Sequence, residues 1–347
     1  MIFNFYILSG RLHHTTACLI EGLHELGHQI NVNQLPNLVG SNGICPPFSK
    51  YAPDYIQQTS QPNPGLIIVD NSLDWSEELS NFLGKLSETN HVVIINMNNF
   101  ANYLPHPENF YVFQGHYNKM MPRKGKTFPM AYGLSKEIIE LSDNLNLNLV
   151  REPSIIHNFR PNENQMVRHA LMLSLLPKLE KYYSINTLMT EPPEFAQQLL
   201  THQAVFCYSG HFYSDVRLHR NFFNEENNDD RYYDFQTCAK KNSESVIFRF
   251  DSFRLYEAAL FGAAPITLHF EKYGLETGAN PRPWIEYIPV EFDKIESLPL
   301  EIASRVKEDP DFLIKVGQNA RRWVIENHSP VAAAQRFIRK LEELKIY

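Results

Sequence analysis

The spacing of apolar residues predicts alternating strands and helices in the first half of the chain. Short apolar runs, typical of strands buried on both faces, alternate with segments in which leucines recur every three or four positions, typical of helices. The predicted strands are Ile2–Leu8, Leu66–Val69, Val92–Ile95, Phe110–Phe113 and Thr127–Met130, and the predicted helices are Thr15–Leu26, Glu77–Leu86 and Ser135–Ser142. This order predicts a mostly parallel sheet covered by helices on both faces.

A second set of alternating elements follows the weakly patterned run from Asn144 to Pro153. It predicts strands at Ser154–His157 and Ala204–Tyr208, and helices at Glu163–Tyr183, Arg231–Lys240, Leu298–Lys307, Asp311–Glu326 and Val331–Leu344. We therefore place a domain boundary near residue 150. The predicted fold class is α/β, with an N-terminal domain over residues 1–150 and a C-terminal domain over residues 151–330, each doubly wound.

Within the second domain, residues 243–269 predict a strand, a helix and a strand. Ser245–Phe248 is a short β-rich apolar run, and either Asp251 or Ser252 can cap the helix that follows. Gly262 ends that helix, and Ala263–Leu268 forms the next buried strand.

Two charged residues at the start of this helix can bind a nucleotide. Arg254 and Glu257 are three residues apart and so share a face near the helix N-terminus, where unpaired N–H groups favour a phosphate. Arg254 can add a charged fork to a diphosphate, and Glu257 can accept hydrogen bonds from ribose hydroxyls. The same spacing also fits an ordinary surface ion pair.

The composition is that of a globular protein and excludes several classes of function. The 347 residues are 43% apolar and 20% charged, enough for two domains with cores. The net charge of −7 disfavours a general nucleic-acid binder and a polybasic membrane anchor, and no apolar run reaches the roughly 20 residues that a transmembrane helix needs. The scattered cysteines and the absence of a signal-peptide pattern lead us to expect a cytoplasmic protein with reduced thiols.

Residues 251–266, D-S-F-R-L-Y-E-A-A-L-F-G-A-A-P-I, resemble the donor-site signature of GT-B glycosyltransferases. They are most similar to the exostosin-like and spore-coat-glycosyltransferase-like branches, which carry S-x-R-x-x-E-A followed by G-x-x-P. Val316–Leu344 is similar to the closing helices of such enzymes, and the opening segment that ends in Leu26-Gly27-His28 matches more weakly. The resemblance implies a GT-B architecture, in which two Rossmann-type domains face a cleft and the final helix, residues 331–347, packs back on the first domain.

The resemblance also implies an activity and its donor site. A glycosyltransferase of this kind moves a sugar from a nucleotide-diphosphate sugar to an acceptor hydroxyl, with Arg254 on the diphosphate, Glu257 on the ribose and Ser252 beside them. Many retaining members carry a second glutamate eight residues before the ribose-binding one, and that position here is Arg249. We therefore expect an inverting enzyme that needs neither a metal ion nor a cofactor besides its nucleotide-sugar co-substrate.

The acceptor and two alternative functions stay open. The acceptor can be a glycan, a lipid-linked molecule or a small molecule, and no nucleic acid is expected as a partner. One alternative is a GT-B-fold nucleotide-sugar epimerase, which converts its donor without an acceptor. The other is a non-catalytic protein that binds a nucleotide sugar or a partner protein.

The loop after the first strand carries the candidate catalytic residues. His13 and His14 lie at the turn where doubly wound folds place reactive groups, and a histidine can take a proton from an acceptor hydroxyl at neutral pH. In inverting GT-B enzymes the base is often a histidine near this loop. We rank His13 first, although both also fit the pattern of exposed loop histidines. Gly10 and His116 are the candidate acceptor-binding residues.

Two further arginines are candidates for binding the donor. Arg160 follows the first strand of the second domain, and Arg217 lies in the aromatic and basic loop at residues 209–230. Each can instead be a solvated loop arginine. The acidic pair Asp229 and Asp230 is typical of a solvated loop, and we predict no metal site.

Overall fold

Two parallel sheets, each in a separate unit of the chain, organise the structure. It is a computed structural model that describes residues 1–8, 10–36, 38–40, 44–45, 47–48, 53–59, 65–71, 77–97, 110–120, 126–147, 149–159, 166–213 and 246–346. Unit 1 comprises Met1–Tyr117, Arg123–Leu141 and Glu326–Tyr347. Unit 2 comprises Asn118–Pro122 and Ser142–Ile325.

The described strands and helices are numbered in chain order. The strands are β1 (Ile2–Ile7), β2 (Arg11–His13), β3 (Gln29–Val32), β4 (Leu38–Gly40), β5 (Ile56–Gln58), β6 (Leu66–Asn71), β7 (His91–Asn96), β8 (Tyr111–Gln114), β9 (Tyr117–Asn118), β10 (Lys126–Pro129), β11 (Glu152–Ile156), β12 (Ser184–Asn186), β13 (His202–Phe206), β14 (His211–Tyr213), β15 (Val246–Phe248), β16 (Ala264–Leu268), β17 (Leu275–Glu276) and β18 (Ile288–Val290). The helices are α1 (His14–Glu25), α2 (Glu77–Ser87), α3 (Lys136–Asp143), α4 (Met166–Ser174), α5 (Leu176–Leu179), α6 (Pro192–Thr201), α7 (Phe253–Leu260), α8 (Leu298–Glu308), α9 (Phe312–His328) and α10 (Pro330–Glu343).

The sheet of unit 1 is parallel, with the strand order β10-β8-β7-β6-β1-β3-β5. Its central strands β6 and β7 are apolar and buried at successive positions, as in Ile67–Val69 and Val92–Ile95, because both faces of the sheet are covered. The strand order reverses between β1 and β6. Doubly wound folds bind their ligands beyond the carboxyl ends of the strands at such a reversal.

Helix α10 packs on α1 within unit 1. A Cβ atom at Gly22, in α1, would lie 1.9 Å from the carbonyl oxygen of Pro330, the first residue of α10. Glycine therefore allows a close approach that any larger side chain would prevent. Phe337, also in α10, adds a ring contact of 4.7 Å with Phe113 in β8.

The sheet of unit 2 has five parallel strands in the order β12-β11-β13-β16-β18. Its strand order reverses between β11 and β13, so the expected ligand position lies beyond the carboxyl ends of these two strands. Arg151, directly before β11, is buried and donates to the carbonyl oxygens of Leu199 and His202 at 2.6 and 3.0 Å and of Phe261 at 2.5 Å. It thereby ties the C-terminal ends of α6 and α7 to the first strand.

The predicted α/β class with doubly wound parallel sheets is confirmed, and two of the predicted elements differ in extent or pairing. The helix predicted over Glu163–Tyr183 is described from Met166 and is broken into α4 and α5, because Pro177 can start a helix but cannot continue one. The strand predicted at Ser245–Phe248 pairs antiparallel with β14 and lies outside the parallel sheet. The helix predicted at Arg231–Lys240 lies outside the described residues.

None of the helices in the described part of the chain has the length and apolar character that crossing a membrane requires.

Candidate functional site

The strand reversal of unit 1 is organised around a buried aspartate at the end of β6. Asp70 Oδ2 accepts a hydrogen bond from the His13 backbone N–H at 2.8 Å, and its Oδ1 accepts one from the Thr16 hydroxyl at 3.0 Å. These bonds fix the first turn of α1 against β6. Between β1 and β2 the chain turns at Gly10, whose φ of +69° is accessible to glycine at little cost.

His13 caps α1 with its own ring. Its Nδ1 accepts a hydrogen bond from the Thr15 backbone N–H at 3.2 Å, and the ring stacks on Tyr132 with centroids 5.8 Å apart. Burial, aided by the charge of Arg11, lowers the pKa of His13 to about 4. The ring is therefore neutral at pH 7, and because Nδ1 is the acceptor, the single ring proton lies on Nε2.

The structure brings two further predicted histidines to the same place. His14 is 3% exposed and its ring hydrogen-bonds the Gly133 backbone. Burial, together with the charge of His13, lowers the pKa of His14 to about 3. His116 is buried in the left-handed conformation, and its Nε2 lies 3.4 Å from the Tyr132 hydroxyl. Tyr132 thus contacts both His13 and His116.

Sequence analysis assigned no role to Asp70 or Tyr132. Burial raises the pKa of Asp70 to about 6, although the hydrogen bonds from His13 and Thr16 oppose that rise. A signal for Asp70 was present, because it directly follows a predicted buried strand. Tyr132 lies in an irregular segment after β10, and no motif marks it.

In unit 2, Arg254 lies at the strand reversal and is held by neutral groups. Its Nη1 donates a short hydrogen bond to the Asn158 side-chain oxygen, just beyond β11. Its guanidinium carbon lies 4.7 Å from the ring centres of both Phe159 and Phe195. Among the described residues, no carboxylate forms an ion pair with Arg254. An amide and two rings therefore position this guanidinium without an ion pair, although the charge of Glu257 acts on it.

Ser252 and Glu257 lie with Arg254 on α7. Ser252 occupies the N-cap position, but its side chain makes no capping bond and instead donates to the Cys207 carbonyl oxygen at 3.4 Å. The Cys207 thiol in turn donates to the Arg254 carbonyl oxygen at 3.5 Å, so the start of α7 is fixed to the segment after β13. Asp251, the alternative predicted cap, accepts from the Tyr256 hydroxyl at 2.7 Å. Glu257 is 7% exposed.

Two further arginines of unit 2 belong to this cluster. Arg168, on α4, places its guanidinium carbon 4.3 Å from the centre of the Phe159 ring. Arg249 has a φ of +55°, and its charge and that of Arg254 both act on Arg168. Arg168 was not predicted from the sequence, because an arginine inside a predicted helix carries no motif. The predicted donor residues Arg160 and Arg217 lie outside the described residues.

Within the described residues no three histidine, cysteine or acidic side chains gather as a metal site, and Asp229 and Asp230 lie outside that part of the chain. Cys18, Cys45 and Cys207 are free thiols.

Comparison with solved structures identifies the fold. The chain is similar to AviGT4, a glycosyltransferase involved in avilamycin A biosynthesis, with 9% identity, a TM-score of 0.50, and coverage of 99% of this chain and 98% of that one. It is also similar to Anabaena HepE in complex with UDP-glucose (11% identity, TM-score 0.46, coverage 99% and 100%). A third similar structure is sucrose-phosphate synthase from Thermosynechococcus elongatus (13% identity, TM-score 0.47, coverage 99% and 99%).

No family model and no curated protein matches the sequence. At this level of identity the likeness to AviGT4 shows the fold, and the chain has the GT-B fold with two Rossmann-like domains. The resemblance to the exostosin-like and spore-coat-like branches stays a prediction.

Proposed function

We propose that this protein is a glycosyltransferase that moves a sugar from a nucleotide-diphosphate sugar to an acceptor hydroxyl, with inversion and without a metal ion. One observation carries the proposal. Arg254 lies at the strand reversal of unit 2, fixed by Asn158 and two aromatic rings, with no carboxylate partner among the described residues. A fixed guanidinium without an ion pair at that point suits a phosphate ligand.

Unit 2 binds the donor in this proposal. Arg254 and the N-terminus of α7 hold the diphosphate, and Glu257 accepts hydrogen bonds from the ribose. Ser252, Arg160 and Arg217 are proposed as further donor contacts. The positive groups stabilise the diphosphate as it leaves, which takes the place of a metal ion.

Unit 1 supplies the acceptor-side chemistry. The acceptor oxygen bonds to the anomeric carbon, the bond from that carbon to the diphosphate breaks, and the electron pair leaves with the diphosphate. The acceptor proton passes to His13 Nδ1, which exchanges its bond with Thr15 for one with the acceptor. Asp70 positions His13 through the backbone, Gly10 and His116 line the acceptor side, and His14 is the alternative base.

Inversion is proposed from the residue at position 249. An arginine stands there in place of the second glutamate of many retaining members, so no carboxylate is offered at that point of the chain. A single displacement then inverts the anomeric configuration.

The test is a screen of nucleotide sugars with and without acceptors, with release of nucleoside diphosphate as the readout and NMR of the product for its configuration. Arg254→Met should abolish most turnover. Arg305→Met is the matched control, because Arg305 also stacks on an aromatic ring, 4.2 Å from the centre of Trp284, but lies on α8. Turnover should persist in EDTA.

Two results would contradict the proposal. Conversion of the donor to an epimer in the absence of acceptor would identify an epimerase. Binding of nucleotide sugars without consumption under any condition would identify a non-catalytic protein.

A further inference from the structure

The segment after β13 contains a buried hydroxyl that its surroundings leave unsatisfied. Tyr208 is 0% exposed, and its hydroxyl has no hydrogen-bond partner among the described residues. A buried polar group without a partner costs about 1–3 kcal/mol. Its ring centre lies 5.2 Å from that of Phe159, the ring on which Arg254 stacks. The unsatisfied hydroxyl therefore belongs to the strand reversal of unit 2.

Arg168 is the second unsatisfied group in this cluster. Its Nε is buried and has no hydrogen-bond partner in the described part of the chain. Within the same residues it forms no ion pair with a carboxylate, and its guanidinium is held by the face of Phe159 at 4.3 Å. The guanidiniums of Arg168 and Arg254 therefore both stack on the ring of Phe159.

The electrostatics of the cluster are unfavourable without an anion. Burial, together with the charges of Arg254 and Arg249, lowers the pKa of Arg168 to about 10. The Tyr208 hydroxyl opposes this lowering of the pKa. His157, packed edge-on against Phe159, adds no charge, because burial lowers its pKa to about 4. Like charges gathered in a partly buried place are stabilised by a ligand with more than one negative charge.

We propose that Arg168 and Tyr208 form a second anion subsite beside Arg254, and that the two subsites together select a ligand with two adjoining phosphoryl groups over one with a single phosphoryl group. Arg168 donates from its guanidinium and Tyr208 from its hydroxyl, so both unsatisfied groups gain an acceptor. The proposal rests on the proposed function for the identity of the natural ligand, a nucleotide-diphosphate sugar, and it makes Arg168 a specificity-determining residue of that site.

The experiment compares pyrophosphate with phosphate, which removes base and sugar from the question. Calorimetric titrations at fixed ionic strength would measure both affinities for the wild type, Arg168→Met, Arg168→Lys, Tyr208→Phe and the control Arg305→Met. We expect the wild type to bind pyrophosphate at least about tenfold more tightly than phosphate, a difference of about 1.4 kcal/mol.

Arg168→Met, which keeps an apolar contact with Phe159, should weaken pyrophosphate binding about tenfold and phosphate binding less than about threefold, since phosphate uses the Arg254 subsite. Arg168→Lys should recover part of the loss. Tyr208→Phe should weaken pyrophosphate binding about three- to tenfold while leaving the melting temperature of the free protein unchanged or higher, because the hydroxyl is unsatisfied there.

An equal loss for both anions in Arg168→Met, or no loss, would overturn the proposal. So would wild-type binding that does not distinguish the two anions. The readout separates this proposal from the proposed function. If pyrophosphate selectivity depends on Arg168 but no nucleotide sugar is consumed, the subsite stands and the glycosyltransferase proposal fails. If sugar transfer is intact in Arg168→Met, the subsite fails and the proposed function stands.

Discussion

The two units gather polar side chains at the same topological point, the reversal of strand order, but the two clusters differ in charge. In unit 1 both oxygens of Asp70 accept hydrogen bonds, and the neighbouring histidines are kept neutral by burial. In unit 2 the guanidiniums of Arg168 and Arg254 share one aromatic ring, without a carboxylate partner among the described residues.

This difference suggests a division of labour on one type of scaffold. A neutral histidine offers an unprotonated nitrogen that can accept a proton, and burial raises the pKa of the Asp70 carboxyl group to about 6, close to neutral pH. Guanidiniums that form no ion pair with a carboxylate are suited to binding an anion. The same strand reversal therefore supports two kinds of chemistry, and the residues after the strands decide which one it is.

The largest effect that would test the comparison concerns His13. We expect His13→Asn to lower kcat by about 10²–10⁴-fold with little change in donor affinity, since base assistance acts in the transition state. Asparagine is a good N-cap, so this variant removes the imidazole while keeping the cap on α1. Steady-state kinetics with a donor titration would measure both quantities.

His13→Ala is the companion variant, because it removes the imidazole and the cap together. It should show the same loss of kcat plus a loss of stability of about 1 kcal/mol. Near-normal turnover in His13→Asn would place the proton transfer elsewhere, and His14→Asn would then be the next variant to measure.

The second test compares how much Arg151 and Arg168 of unit 2 contribute to the free energy of unfolding. Arg151 donates to three carbonyl oxygens, so Arg151→Met should lower the free energy of unfolding by about 3 kcal/mol or more. Among the described residues Arg168 has no such partners, so Arg168→Met should change the free energy of unfolding by less than about 1 kcal/mol. Urea denaturation of both variants provides the measurement. A similar large loss in both would make Arg168 a structural residue.

The third test concerns the ribose contact. Glu257→Gln should weaken donor binding by about 1.5–3 kcal/mol, because a charged acceptor is replaced by a neutral one. The loss should shrink for a donor analogue that lacks the ribose hydroxyls. An equal loss with both ligands, measured by calorimetry, would show that Glu257 acts on another part of the donor.

Much of the architecture could be predicted because it depends on local apolar patterns. The run Leu66–Val69 reads as a strand buried on both faces, and the structure extends it only to Asn71. The spacing of Arg254 and Glu257 placed both residues on α7. Each of these inferences depends on residues close together in the sequence.

The missed features depend on residues that are distant in sequence. Tyr132 stacks on His13, which lies 119 positions earlier in the chain. Arg168 and Arg254 lie in one cluster because both stack on Phe159. The pairing of strand β15 could not be predicted for a related reason, since its three apolar residues suit an antiparallel pair as well as a parallel sheet. Local patterns specify an element, but its partner depends on the tertiary fold.

A buried carboxyl group in α1 is a further feature that could not be predicted from the sequence. Glu21 is 4% exposed, and burial together with the charge of Glu137 raises its pKa to about 9. Its Oε2 accepts a hydrogen bond from the Lys136 backbone N–H at 3.0 Å, which opposes that rise. Other charges near it are Glu25 and, on α3, Lys136, which form an ion pair at 3.0 Å.

The smallest predicted effect follows from this carboxyl group. Its pKa in the unfolded chain is near 4.5, so between pH 4.5 and about 9 the folded state holds a proton that the unfolded state has released. The free energy of unfolding therefore falls as pH rises through that window. Glu21→Gln removes the titration while keeping an acceptor for the Lys136 N–H, so the variant should be more stable than the wild type by about 1 kcal/mol or more at pH 8. The two stabilities should converge toward pH 5.

Glu25→Gln is the control, and because its ion pair is partly exposed it should change stability by less than about 1 kcal/mol, with no such dependence on pH. Urea denaturation at pH 5, 6.5 and 8 would measure the stability of the three proteins. If the stability of Glu21→Gln relative to the wild type is lower at pH 8 than at pH 5, Glu21 is ionised in the folded unit 1.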